Sequence, residues 1–373
     1  MEPFKDHFSP QLVCCLADHL KKHLRPFKRA QFINGINPEL ESLELKERCQ
    51  LIADKLHSVL PADLKQRYAI IQAMLHPNLE GGEGLQSDKQ GIRGWGVLPL
   101  CTVVGQHGLE EFDLSMAMLR TMTGYFSSEL DIRYFILSDQ DRALAIMSQW
   151  LKDPDHHVRR LVSEGSRPRL PWAMQLPKLI ADPGPTLPLL QALRDDKEEY
   201  VRRSVANHLN DISKDHPDLV AELAHHWMQD ANRNRERLLR HACRSLIKQG
   251  HPKALAAFGY ASPKIELESL LIKRPVITLG EDLDFSISLK STTGQKQALI
   301  IDYVIHHQKK NGKLTPKVFK WKTIELEPDQ TTSFSRSHKI RAVTTRRYYS
   351  GLHTLSLRIN GKDFGYQEFE LSC

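Results

Sequence analysis

Residues 158–173 read Val-Arg-Arg-Leu-Val-Ser-Glu-Gly-Ser-Arg-Pro-Arg-Leu-Pro-Trp-Ala, a stretch with four arginines, one carboxylate and one tryptophan. A fully solvated helix has no need of the tryptophan, and a fully buried one does not accommodate the arginines. On a helix, Arg160, Glu164 and Arg167 share one stripe at i, i+4 and i+7. The matching positions in a second copy of the motif are Arg203 and Asn207, with Asp211 one turn further on. Glu164 and Asp211 are thereby placed on corresponding faces of neighbouring helices. A third acid, Glu129, lies upstream in Phe126-Ser-Ser-Glu-Leu-Asp-Ile-Arg. Carboxylates held among arginines suit a polyanionic ligand and a reaction that passes through a cation. Hydrolysis of a glycosidic bond is such a reaction: its transition state resembles an oxocarbenium ion. A fixed carboxylate stabilises that ion and can orient or deprotonate water.

Each of these residues also has a plainer role. Helical spacing alone favours an i,i+4 ion pair between Arg160 and Glu164, worth a few tenths of a kcal/mol. Asp211 suits a C-terminal turn. Ser127 or Ser128 can cap a helix whose first turn holds Glu129 and Asp131. Trp172 suits a core, although Pro171 beside it favours a ring presented at the surface. The doublets Arg159-Arg160 and Arg202-Arg203 suit a solvated face, but their repeat spacing argues for a shared purpose.

These side chains must be positioned by helices. Val158-Arg-Arg recurs as Val201-Arg-Arg and, more weakly, as Leu239-Arg-His, each after a polar turn. Spacings near 40 residues fit HEAT or armadillo helix pairs, which bury their apolar faces by stacking. Residues 1–262 are therefore expected to form an all-α HEAT-like repeat solenoid. The glycine-rich segment 80–94 is expected to be a flexible loop. From about 263 the texture changes to alternating apolar and polar runs, such as Leu283–Leu289, Ala298–His307 and Gly351–Gly361, with Asn311-Gly and Asn360-Gly as turn signals. About seven short strands in residues 263–373 indicate a C-terminal immunoglobulin-like β-sandwich. Its Arg341–Gly351 segment, with Arg346 and Arg347 beside two tyrosines, suits phosphate contact from a loop.

The chain has 373 residues and a net charge of +7. The excess lies in the last part, where residues 264–373 hold 18 basic and 12 acidic side chains. No apolar run approaches bilayer length and no signal-peptide core is present, so a cytoplasmic protein with no membrane partner is expected. The six cysteines form no CxxC pair and read as reduced thiols. Adjacent histidines, as in His156-His157, send their rings in different directions, so no metal site is expected.

Several segments carry a family likeness: Phe4-Lys-Asp-His-Phe, Leu43-Glu-Leu-Lys-Glu-Arg, Ser127-Ser-Glu-Leu-Asp-Ile-Arg, residues 158–173, and Tyr200-Val-Arg-Arg-Ser-Val-Ala-Asn-His-Leu-Asn-Asp-Ile-Ser-Lys-Asp-His-Pro. Together they resemble the AlkC family of bacterial DNA alkylation-repair glycosylases, over nearly the whole chain. The resemblance implies a monofunctional, cofactor-free enzyme of base excision repair. It would remove cationic bases, chiefly 3-methyladenine and 3-methylcytosine, from double-stranded DNA without flipping them. By motif match, the active-site positions would be Glu164, Glu129, Asp211 and Trp172, with Glu164 closest to the deoxyribose. Arg159, Arg160, Arg167, Arg169, Arg202, Arg203, Asn207, His208, Arg244, Arg346 and Arg347 would bind DNA. The chain departs from the family at Asp131-Ile-Arg-Tyr-Phe, where Ala-Ile-Arg-Pro-Phe is usual; the missing proline bears on helix geometry beside Glu129. A monomer is the simplest expectation for a groove that accepts a duplex. The competing reading is a non-catalytic HEAT-repeat protein that recognises DNA structure; a protein–protein scaffold is a third, less suited to arginine-rich stripes.

Overall fold

The computed structural model describes residues 3–78, 86–343 and 346–373. Residues 80–85 of the expected flexible loop lie outside the described residues. The chain divides into two compact units, Met1–Asp215 and His216–Cys373.

The first unit is helical. The sequence motifs that bear on chemistry lie on or beside three of its helices: Ile132–Ser138, His156–Gly165 and Glu199–Ile212. The helix His156–Gly165 turns Val158, Leu161, Val162 and Gly165 inward, and it packs on Glu199–Ile212, which buries Val201, Val205 and Leu209. Gly165 is required where this helix meets the start of Ile132–Ser138, because a Cβ there would stand 2.6 Å from Ile132 Cγ2. Each helix begins after a polar turn. Asp155 accepts from the His157 amide at 2.8 Å and caps the first.

The first arginine of each doublet serves this turn. Arg159 donates to the carbonyls of Asp153 and Pro154 at 2.8 and 3.1 Å, and forks onto Asp196 at 2.6 and 3.0 Å. Arg202 repeats the pattern on the carbonyls of Asp196 and Lys197, at 2.5 and 2.8 Å. The repeated signal in the sequence is therefore in part an architectural one.

The second unit holds the helices from Pro217–Met228 to Pro252–Ala257 and a two-sheet β-sandwich. Its strands are β1 (Ile265–Ile272), β2 (Val276–Thr278), β3 (Asp282–Ser291), β4 (Gln297–Gln308), β5 (Leu314–Leu326), β6 (Thr331–Lys339), β7 (Gly351–Ile359) and β8 (Lys362–Ser372). One sheet runs β1-β3-β6 and the other β2-β8-β7-β4-β5. All pairings are antiparallel except β2 with β8. Alternate residues such as Phe285, Ile287, Leu289, Ile301, Tyr303, Leu355, Leu357 and Phe369 fill the space between the sheets. The β7–β8 hairpin turns on Asn360 and Gly361, with φ of 44° and 81°, as a type I′ connection demands. Asn360 also donates to the carbonyls of Ala261 and Ala298, which ties the segment entering the sandwich to its sheet. No described helix is long and apolar enough to cross a membrane.

Candidate active site

The three acids converge through arginines rather than directly. Glu129 accepts from Arg160 Nη1 and from Ser127 Oγ, both at 2.6 Å. Arg160 Nη2 reaches Glu164 Oε1 at 3.5 Å, so the i,i+4 pair exists but is the weaker of its two contacts. Glu164 Oε1 then accepts from Arg167 Nη1 at 2.6 Å, and its Oε2 from Ser204 Oγ at 2.5 Å. Arg167 Nε continues the chain to Asp211 at 2.8 Å, and Lys214 caps the other Asp211 oxygen at 3.0 Å. Acid and base thus alternate in one line, Glu129–Arg160–Glu164–Arg167–Asp211.

Burial grades along this line. Glu164 and Asp211 are 5% and 3% exposed. The Glu129 side chain is 21% exposed. A cleft of about 450 Å³ opens at that end, lined by Glu129 and Arg160 and walled by the rings of Phe4, Trp95, Phe126, Trp172 and Tyr200. Glu164 and Asp211 are not among its lining residues. Glu164, expected closest to the sugar, is thus set behind the cleft wall in this structure. Its oxygens are taken by Arg167 and Ser204, and Arg160 stands between it and Glu129. Glu129 is the acid that faces the cleft.

The local fold explains why Glu129 is available. The expected serine cap does not form. Ser128 is buried and donates to the Leu119 carbonyl at 2.9 Å, while the helix begins only at Ile132, with Asp131 at its N-cap. Residues before it make a turn that leaves Glu129 to Arg160. The missing family proline does no damage, since Tyr134 sits inside the helix and its hydroxyl accepts from Gln106 at 3.2 Å. Asp131 is different. It is buried, with one oxygen unpartnered, and desolvation raises its carboxyl to about 7.

Trp172 lies on the segment that follows the helix. It is 59% exposed and its backbone has φ of 67°, a left-handed conformation uncommon for a bulky residue. Lys46 donates to its carbonyl. Arg133, fully buried, gathers the rest of the segment, donating to the carbonyls of Met174, Gly165 and Arg167 at 2.6, 2.9 and 2.8 Å. Burial lowers its guanidinium to about 10, while Asp211, Glu129 and Glu164 work to raise it. Sequence reasoning did not single out Arg133; an arginine at the second position of an apolar helix was the available signal.

The predicted DNA-binding residues separate into groups. Arg159, Arg167 and His208 are buried. The first two are consumed by the ion pairs above. His208 meets the Ser163 carbonyl at 2.9 Å through Nδ1 and is held neutral by burial, at about 4. These three are corrected from phosphate contacts to scaffold. Arg202 serves its turn. Arg169 forks onto Asp215 at 2.8 and 2.9 Å and is part-exposed. Arg160 lines the cleft, with its guanidinium 4.7 Å from the Tyr200 ring centre. Asn207 is half-buried and Arg203 exposed on the same helix. In the second unit, Arg244 and Arg347 are exposed and Arg346 half-buried; Arg347 lies 5.7 Å from the Tyr349 ring.

The adjacent histidines also differ from expectation. The His156 and His157 rings lie 4.1 Å apart, and with Asp155 their ligand atoms fall within 4.8 Å of one another. Asp155 already serves as a helix cap there, and the positive end of a helix opposes a cation.

Residues 131–246 match the family described as DNA alkylation repair enzyme. Residues 266–373 match the C-terminal Ig-like domain described for uncharacterised protein YhaZ. The chain is 35% identical to the uncharacterised protein YhaZ of Bacillus subtilis, over 97% of both chains. It is similar to a solved structure of Pseudomonas fluorescens alkylpurine DNA glycosylase AlkC bound to DNA containing an abasic site analogue. That likeness has a TM-score of 0.83 at 35% identity and covers 100% of both chains.

Proposed function

The chain belongs to the AlkC family of bacterial DNA alkylation-repair glycosylases, and from that premise we propose that it hydrolyses the N-glycosidic bond of cationic alkylated bases in duplex DNA, 3-methyladenine and 3-methylcytosine above all. Residues 1–262 act as a HEAT-like glycosylase domain and residues 263–373 as an auxiliary DNA-binding domain with Arg346 and Arg347 at the phosphates. The protein works as a cytoplasmic monomer.

One observation carries this reading: a single carboxylate, Glu129, faces a cleft walled by aromatic rings. A pure phosphate binder gains nothing from such an acid. N3-alkylation gives the base a positive charge, so the bond from C1′ to the base nitrogen is already weakened. Its electron pair leaves with the base, which departs neutral, and no general acid is needed. The developing positive charge moves to the sugar. Glu129 stabilises it at short range and takes the proton from the water that adds to C1′. Trp172 adds the negative face of its ring. Arg160 holds Glu129 in place and presents positive charge to the flanking phosphates, while the buried Arg167 ties Glu164 to Asp211 behind it. The lesion base stays in the duplex, and the enzyme reaches the sugar directly.

No lysine lines the cleft among the described residues, so strand cleavage through a Schiff base is not part of the proposal. Incubation with methylated duplex DNA tests the reading. The expected products are free 3-methyladenine and 3-methylcytosine and an intact strand with abasic sites. Tight binding of that DNA with no base released would leave the non-catalytic DNA-structure binder in its place.

A further inference from the structure

The N-terminal motif Phe4-Lys-Asp-His-Phe has no role in the chemistry described so far, yet it reaches the cleft. Its one-turn helix Phe4–His7 is bound to the body by more contacts than a chain end requires. Lys5 pairs with Glu44 at 2.7 Å. The buried Arg48 donates to the carbonyls of Lys5 and Phe8 at 3.0 and 3.5 Å. Phe8 is fully buried and meets Trp95 edge-on at 5.8 Å. The His7 ring stacks on Trp95 at 4.9 Å and 6°. The outcome is that Phe4 is held in the open: it is 53% exposed, 5.9 Å from Trp95 and 6.4 Å from Trp172, and it lines the cleft. Phe126 closes the row, 5.0 Å from Trp95.

We propose that Phe4 and Trp95 are substrate-contacting residues that form, with Trp172, an aromatic cradle for the positively charged deoxyribose. This rests on the glycosylase reading above and deepens it. Aromatic faces attract a cation that has shed its water, and rings from separate segments can meet it from more than one side. Glu129, lining the same cleft, supplies the full negative charge. The exposed ring of Phe4, fastened by the Lys5 and Arg48 contacts, then has a function that solvent exposure alone does not give it.

Binding of two abasic-site DNAs tests the proposal, one with a pyrrolidine in place of the sugar, cationic at neutral pH, and one with the neutral tetrahydrofuran. The full-length protein should prefer the cation. F4L and W95L should each shrink that preference about two- to fivefold, losing more affinity for the cationic DNA than for the neutral one. F4Y should keep it. An unchanged preference in both leucine variants, or equal loss on both DNAs, would overturn the cradle and leave the glycosylase reading standing. No preference in the wild-type protein would overturn the cation-binding reading of the whole cleft.

Discussion

At the scale of single residues, the site separates two tasks that look alike in sequence. Glu129, Glu164 and Asp211 are all carboxylates beside arginines, but only the first meets the cleft. The other two neutralise the buried Arg167, and Glu164 also reaches the half-buried Arg160. Breaking a buried pair leaves one partner uncompensated and costs about 3–5 kcal/mol. Glu164→Gln and Arg167→Met should therefore each destabilise the helical unit strongly. The double variant should cost far less than the two single effects together, since it removes both charges. A double-mutant cycle by chemical denaturation checks this. Additive losses would show that the two side chains do not depend on each other. The nearness of Glu164 to Arg160 and Arg167 was legible, although Arg167 lies past the helix end at Gly165. Their depth was not. Helical periodicity tells which residues share a face, whereas Ser204 of another helix decides that this face is covered.

At the scale of elements, the doublets show how one repeat signal carries two meanings. Arg159 and Arg202 fasten the polar turns before their helices, and Arg160 and Arg203 lie on the other side. Nothing in the pair Arg-Arg distinguishes them; the turn carbonyls of Asp153, Pro154, Asp196 and Lys197 do. Phe4 and Trp95 escaped sequence reasoning for a similar reason, because an aromatic cluster assembled from distant segments leaves no periodicity. The helix after Glu129 carries a testable cost. Asp131 is buried, and burial raises its carboxyl from 3.8 to about 7. A folded-state value above the unfolded one means that folding takes up a proton. The stability is complete below pH 4 and falls as pH rises through 7, by roughly 4 kcal/mol at most. Asp131→Ala should remove this fall, so the variant should melt higher than the parent at pH 8 and gain least at pH 4. Parallel melting curves for the two proteins across that range would refute a buried, titrating Asp131.

At the scale of the whole molecule, the two units respond to acid through different groups. Within the sandwich, the buried His307 and the half-buried His338 lie among Lys317, Arg336 and Arg346, and desolvation together with those charges lowers their imidazoles to about 3 and about 4. Both nitrogens of His307 lack a partner. A folded value below the unfolded 6.5 gives the opposite sign to Asp131. This stability is complete above pH 6.5 and is lost as pH falls through 4. The β-unit should therefore unfold at lower temperature at pH 4.5 than at pH 7.5, and His307→Phe should reduce that difference; calorimetry reads both. An equal difference in parent and variant would remove His307 as a cause. The division into a helical part and a β-part was plain from the change in residue pattern, as were most strands. The run Val276–Leu279 also marked β2, but its parallel pairing with β8 was not legible, nor was the edge strand β6, because each takes its place from a partner far along the chain.

In the proposed reaction the charge of Glu129, facing the aromatic cleft, drives loss of the base. Single-turnover release of 3-methyladenine from duplex DNA by Glu129→Gln measures it most directly. The amide keeps the size and hydrogen bonds of the side chain and removes only its charge. The rate should fall by about 10²–10³-fold, the scale of removing one electrostatic stabiliser from a transition state, with DNA affinity within about twofold of the parent protein. Release at close to the parent rate would contradict it.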